Sequence, residues 1–367
     1  MSWQEKTTHC CLRVVFLTIA PDSRSAAMGD VGVATKPDAS SQFWNAAKYN
    51  FSESEGGVGI SYSPWLKNLN IDDINLIYVS GYKKIDSRQT VSGAIRYFSL
   101  GDIQFRDEAG GEGITYNPHE YAINVGYGLK LSDNFSGSLS FKFIRSDLAR
   151  DDNFKPGNAY AFDLGGYYQK DIQLQDKNAQ MAFGLNLSNM GTKISYSESQ
   201  EPDFIPTSLR VGGRFDVEMD EYNTLGFALD LNKLLVPTPP LTVDNDTGGV
   251  DIYGNGNNKI SVVEGMVQSF YDAPGGFKEE MHEITYSVGA EYSYRNQFAV
   301  RTGYFYEHAT KGNRKYMTFG VGIRLNVLGI DFSYLVPTYD SNSPLANTVR
   351  FTLNFYFDQY ASTNTRF

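Results

Sequence analysis

From Tyr121 to Phe143 large and small side chains alternate with a period of two. Tyr121, Ile123, Val125, Tyr127 and Leu129 share one side, and Ala122, Asn124, Gly126, Gly128 and Lys130 share the other. This is the rhythm of a strand and not of a helix. Ser132-Asp133-Asn134 is a turn signal, and beyond it Phe135, Gly137, Leu139, Phe141 and Phe143 resume against Ser136, Ser138, Ser140 and Lys142. Folding the ribbon about Asp133 sets Ile123 opposite Phe143, Val125 opposite Phe141 and Tyr127 opposite Leu139, the bulky cross-strand pairs that stabilise a hairpin. Each arm runs about 11 residues, near twice the usual globular length and suited to crossing a bilayer at a tilt. Bulk on one face with glycine and serine on the other fits two staves of a transmembrane barrel. On this hairpin alone, a soluble sandwich with a bulky core face fits as well.

The same rhythm recurs near 56–64, 72–82, 89–99, 118–130, 135–146, 158–169, 179–189, 206–216, 222–233, 282–294, 296–307, 314–326, 328–336 and 347–357. That predicts about fourteen antiparallel strands, an even number, as closure with both ends on one side requires. The connections alternate between long and short. Leu131–Asn134, Glu218–Glu221, Arg295 and Val327 are tight, whereas 100–117, 147–157, 190–205 and 234–281 are long. An outer-membrane barrel sorts its loops in this way, with short periplasmic turns and extended outer loops, and a sandwich has no reason to. The expected fold is therefore an all-β transmembrane barrel spanning 51–367, with a long outer loop at 234–281. Residues 1–50 lack the rhythm and are rich in small side chains, notably Ser23 to Asp30 and Ala34 to Ala47. Small side chains let backbone pack closely, so this segment reads as a plug in the lumen, or else as an N-terminal cap.

Composition narrows the class without changing the fold. No run of 18 apolar residues occurs, which excludes a spanning helix. The mean hydropathy of −0.36 still allows a barrel, which shows lipid only alternate residues. A net charge of −10 lacks the basic footprint that nucleic acid needs. Adjacent Cys10 and Cys11 cannot staple distant parts of the chain and have no metal-ligand spacing. Cys10 to Ala20 resembles a secretory signal only weakly, since Glu5 and Lys6 precede it and Ala20-Pro21 is a poor cleavage site. The expectation is that the export signal is missing or already removed.

The inward face carries charge. Arg96, Lys142, Asp163, Arg210, Arg214, Asp230, Arg301 and Arg324 fall on the small-residue side of their strands. Enclosed guanidiniums call for carboxylate partners, which Asp163 and Asp230 on the wall and Asp30 or Asp38 in the plug can supply. On a sandwich the same residues are surface charges. The outer loops carry apolar material instead: Trp65 and Leu66, Phe204 and Ile205, and then Val263, Met266, Val267, Phe270, Tyr271 and Phe277. Val263, Met266, Val267 and Phe270 are spaced to share a helical face. Such groups either dock on a partner or pack over the barrel mouth.

No motif calls for a metal, a cofactor or catalysis. His119-Glu120 and His282-Glu283 lack the second histidine of a zinc helix. His119 falls opposite Asp147, but no serine shares that face of the hairpin, so no nucleophile is evident. The stretch Asp244 to Asp251 departs from an EF-hand at Gly248 and Asn255, which leaves a flexible acidic loop.

Three blocks carry a family resemblance. Phe16 to Arg24 with Ala27-Met28-Gly29-Asp30, Pro37-Asp38-Ala39 and Trp44-Asn45 form the first. Asp230 to Pro240 and Ser269 to Glu280 form the other two. They resemble the PorV family, outer-membrane proteins of the Bacteroidetes type IX secretion system within the FadL-like barrel class. That resemblance implies a non-catalytic, fourteen-stranded plugged barrel in outer-membrane lipid, with both termini periplasmic. It also implies three protein partners: an SprA- or Sov-like translocon barrel, the C-terminal signal domains of secreted cargo, and a PorU-like sortase. The alternatives are a FadL-like channel for hydrophobic small molecules and a membrane lipid-modifying enzyme acting through His119.

Overall fold

The computed structural model describes residues 13–65, 73–104, 115–148, 155–197, 201–244, 250–254, 257, 259–339, 345 and 347–357. Fourteen antiparallel strands close into one barrel. Numbering only these staves, they are β1 Gly56–Pro64, β2 Ile74–Lys84, β3 Gln89–Leu100, β4 His119–Lys130, β5 Phe135–Asp147, β6 Gly157–Leu174 and β7 Lys177–Gly191. The second half comprises β8 Ser208–Glu218, β9 Asn223–Leu234, β10 Ile284–Tyr294, β11 Phe298–Tyr306, β12 Lys315–Leu325, β13 Leu328–Pro337 and β14 Val349–Phe357. Each strand pairs with its neighbours in sequence. The wall closes between β1 and β14, from Gly56 opposite Phe357 to Tyr62 opposite Phe351.

Every strand expected from the two-residue rhythm is present, with ends displaced by a few residues. β4 and β5 take the expected register, with Ile123 opposite Phe143 and Tyr127 opposite Leu139. The bulky face points away from the lumen: Val125, Leu139, Phe183 and Phe227 are all more than half exposed, as side chains meeting lipid must be. Aromatic residues ring both ends of this band. Tyr62, Tyr97, Tyr121, Tyr160 and Tyr306 lie toward the long connections, and Phe135, Tyr222, Tyr294, Phe298 and Phe357 toward the tight turns.

Residues 13–52 run through the barrel. Arg13 forms an ion pair with Asp203 at 2.8 Å in a long connection, and Phe16 and Leu17 pack with Ile74, Phe98, Ile194 and Ile205 at that same end. The chain then descends and enters β1 at Gly56, beside Phe357 at the tight-turn end. The described start of the chain is thus at the opposite end from the last strand's finish.

The segment has little regular structure: α1 Ser23–Ala26, α2 Ser41–Trp44 and two 3-10 turns, Val15–Thr18 and Ala46–Phe51. It is held by polar ties within itself. The Trp44 indole donates to Asp22 at 2.6 Å, and fully buried Lys48 donates to the Gly32 carbonyl at 2.7 Å and to Thr35 at 3.0 Å. It also docks directly on the wall's glycines. A Cβ on Gly303 would stand 2.1 Å from the Met28 carbonyl carbon, and one on Gly184 would stand 2.2 Å from the Val33 carbonyl oxygen. At the closing seam, the Thr352 hydroxyl of β14 meets Ser61 of β1 at 2.8 Å, accepts from the Ser23 amide at 2.9 Å and reaches the Ser23 hydroxyl at 3.0 Å.

Candidate functional site

The inward charges fall into three groups around the luminal segment. The largest centres on Glu291 of β10, whose carboxylate accepts from Arg24 at 3.1 and 3.2 Å, from Arg214 at 2.8 Å and from Arg301 at 2.6 Å. Arg214 also clasps Asp216 through two bonds of 2.7 and 2.8 Å. Arg301 reaches Asp331 at 2.6 Å, and Arg24 reaches Asp38 at 3.3 Å. Three guanidiniums and four carboxylates thus tie α1 to β8, β10, β11 and β13. Arg214 and Arg301 were legible from their faces, and Glu291 shares its inward face with Ser287 and Gly289. Arg24 carried no such signal, since its segment has no strand rhythm.

The second group is Lys142 with Asp163, 3.0 Å apart. Asp163 sits at an irregularity between β6 and β7, where it accepts the Asn189 backbone N–H at 2.8 Å. In the third group Asp230 accepts the backbone N–H groups of Gly32 at 2.7 Å and Val33 at 2.9 Å. A wall carboxylate thereby satisfies luminal backbone that has no ladder of its own.

Among the described residues, three of the expected cations have no carboxylate within ion-pairing distance, so the expectation that enclosed guanidiniums call for carboxylate partners does not hold for them. Arg96 donates to the carbonyls of Phe16 and Ile19 at 2.8 and 2.9 Å and lies 4.3 Å from the Phe43 ring centre. Arg210 lies over Trp44 at 4.8 Å and Phe43 at 5.4 Å. Arg324 lies over Tyr356 at 4.4 Å. Aromatic faces take the place of carboxylates. Of the plug acids, Asp38 pairs with Arg24, whereas Asp30 accepts from the Tyr316 hydroxyl at 2.6 Å.

Two cavities flank the luminal segment. One, of about 770 Å³, opens among the tight turns and is lined by the Glu291 network, Arg324 and Tyr356. The other, of about 440 Å³, lies beneath the long connections between Leu17, Trp44, Arg210, Val236 and Phe305.

The apolar residues expected on the outer loops divide. α3 Val262–Gln268 and α4 Phe277–His282 lie in the connection from β9 to β10. Ser261 caps α3 by accepting the Glu264 N–H at 3.3 Å. On this connection Val263, Val267, Phe270, Tyr271 and Phe277 are half exposed or more, with Phe277 at 80%, while Met266 is half buried. Phe204 and Ile205 are instead buried at the barrel mouth, which corrects their assignment to an exposed docking face; Ile205 joins the Phe16 cluster there. Trp65 packs against that same cluster beneath Arg350, and Leu66 lies outside the described residues.

The base of this connection is pinned electrostatically. Lys233 donates to Glu280 at 2.9 Å and to Glu283 at 2.7 Å, and Lys311 reaches Glu279 at 2.6 Å and Glu283 at 3.1 Å. Burial by itself would raise the Glu283 carboxyl, but hydrogen bonds from Lys233 and Thr238 and the nearby Lys311 charge hold it below its ordinary value. Burial together with the Glu280 and Glu283 charges pushes Asp272 up to about 6, against the opposing Thr238 N–H bond.

His119 and Asp147 face each other in the ladder. The His119 Nδ1 is paired with the Asn117 carbonyl at 3.1 Å, and Asp147 accepts from the Tyr116 hydroxyl, so the two side chains form no relay.

Among solved structures, the chain is similar to the Pseudomonas putida toluene transporter TodX, at 10% identity over 92% of this chain and 99% of that one, with a TM-score of 0.51. It is also similar to the Ralstonia pickettii toluene transporter TbuX, at 12% identity over 92% and 98% with a TM-score of 0.45. A third is the CymD monoaromatic hydrocarbon channel, at 12% identity over 95% and 99% with a TM-score of 0.48. At these identities the likeness to TodX is one of fold. No curated protein matches. The model of the type IX secretion system protein PorV matches residues 2–241, well over half of the chain and including the luminal segment. This plugged outer-membrane barrel therefore belongs to the PorV family of type IX secretion system proteins.

Proposed function

We propose that the chain is a non-enzymatic docking component of a type IX secretion machine. Its outer connection binds the translocon barrel and the C-terminal signal domain of secreted cargo, and passes that cargo to a sortase. The observation that supports this reading is the exposed apolar surface of Val263, Val267, Phe270, Tyr271 and Phe277. It stands on a base fixed by Lys233 and Lys311. Apolar groups of this size, clustered on a loop beyond the membrane, favour a protein partner. The barrel anchors and orients that surface.

The test is deletion of Val262–Phe277. The barrel should still migrate as a compact, heat-modifiable species, while co-purification with an SprA-like translocon barrel and with cargo should be lost. Retained co-purification would refute the role of this connection. A channel for hydrophobic small molecules finds less support, because residues 13–52 are tied to the wall by the Glu291, Asp230 and Thr352 contacts.

A further inference from the structure

We propose that the stacked imidazoles of His282 and His308 form a latch that fixes the outer connection at neutral pH and releases it as the medium turns acidic. The latch rests on geometry alone, and its regulatory consequence rests on the docking reading given above. His282 is the last residue of α4, and His308 lies in the connection from β11 to β12. Their ring centres are 3.5 Å apart and their planes diverge by 10°. α4 and the neighbouring connection are thus clamped face to face at the root of the exposed apolar surface.

Neutral imidazoles tolerate such a stack, whereas two imidazoliums at that separation repel. A second contact fixes which protonation state the clamp requires. The Thr310 backbone N–H donates to His308 Nδ1 at 3.3 Å, and the Thr310 hydroxyl stands 2.9 Å from the same nitrogen. A backbone N–H only donates, so Nδ1 is the acceptor and carries no proton. Protonating that nitrogen would set two N–H groups against each other and charge the stack as well.

The charged groups around the pair do not reverse this sign. On the α4 side, Glu280 is bound by Lys233, Glu279 by Lys311, and Glu283 by both, while Asp272 accepts the Thr238 N–H. On the side of His308, Arg314 clasps Glu307 through bonds of 2.8 and 2.9 Å. These acids favour a first proton on the pair, and Lys233, Lys311 and Arg314 oppose it. A second proton meets the first across 3.5 Å whatever the surroundings. Once apart, the two rings titrate independently, so the released form binds more protons than the clamped one. Clamping is therefore full above the imidazole range, which is centred at about pH 6.5, and is lost as pH falls through it. Asp272 cannot mimic the effect, because its packing weakens as pH rises through about 6. The lysine pairs keep the connection tethered; the planar stack sets its orientation.

The full chain carrying Cys10→Ser and Cys11→Ser is spin-labelled at Lys278→Cys on α4 and at Tyr339→Cys just beyond β13, in detergent and without a partner. Both positions are exposed. Distances between the labels should be narrowly distributed at about pH 7.5, and broader or longer at about pH 5.5, on the two sides of the imidazole range. The chain with His282→Phe and His308→Phe has rings but no titrating nitrogen and should show no pH response; heat-modifiable migration checks its fold. A wild-type distribution that is the same at both pH values, or a double variant that responds as the wild type does, would overturn the latch. In a second arm, co-purification of the wild-type chain with the translocon barrel should fall between the same two pH values, and that of the double variant should not. Equal recovery of the wild-type complex would overturn the regulatory role. No recovery at either pH would count against the docking reading and leave the spin-label result standing.

Discussion

Glu291 is the residue on which most luminal electrostatics converge: three guanidiniums share its carboxylate, and each has one further acid, Asp38, Asp216 or Asp331. Removing one member of a buried ion cluster costs about 3–5 kcal/mol, because the remaining charges stay desolvated. Glu291→Gln should accordingly lower the temperature of the folded-to-unfolded mobility shift on semi-native gels, whereas Glu218→Gln, exposed at the tight-turn end, should leave it unchanged. The outer connection gives a residue-scale pH prediction of defined sign. Asp272 has a folded value of about 6, above the ordinary value of about 3.9 for an aspartate. Its contribution to loop packing is therefore full below about pH 4 and is lost as pH rises through 6. With the intrinsic base-catalysed rate divided out, the protection factor of the Thr238 amide, which donates to Asp272 at 3.1 Å, should fall across that interval, and Asp272→Asn should flatten the dependence. A protection factor that is constant with pH in the wild-type chain would show that Asp272 does not control this packing.

At the scale of the element, the strands were legible because each obeys one constraint along its whole length: lipid on one face and lumen on the other. Leu139 sits mid-strand on the lipid face, so Leu139→Arg should cost about 2–4 kcal/mol in refolding into vesicles. Spin labels at Arg210 and Asp230 should be shielded from lipid-soluble quenchers that reach a label at Phe141. The luminal segment was less legible. Its small-residue composition showed that backbone would pack closely, but which wall glycines received it depends on approaches between residues hundreds of positions apart. Met28 against Gly303 is one such approach. Gly303→Val should displace the segment, and proteolysis at Arg24 from the tight-turn side would then become detectable. The loops were harder still. Phe204 and Ile205 looked like Phe270 and Phe277 in sequence, yet two are buried at the mouth and two stand out, because tertiary neighbours and not local pattern decide which apolar loop residue finds a cover.

At the scale of the whole molecule, wall and filling are one cooperative object. The inward face expected from alternation is also the face that grips residues 13–52, so the ionic groups of the Glu291 network serve as attachment points as well as lining the cavity at the tight-turn end. Which cation pairs with which acid was not readable, since that depends on the curvature that brings β8, β10, β11 and β13 toward α1. The Thr352 hydroxyl joins Ser61 of the first strand, its own last strand and Ser23 of the luminal segment. One hydroxyl thus rivets the wall's seam and its filling together, so a change at position 352 is felt in both.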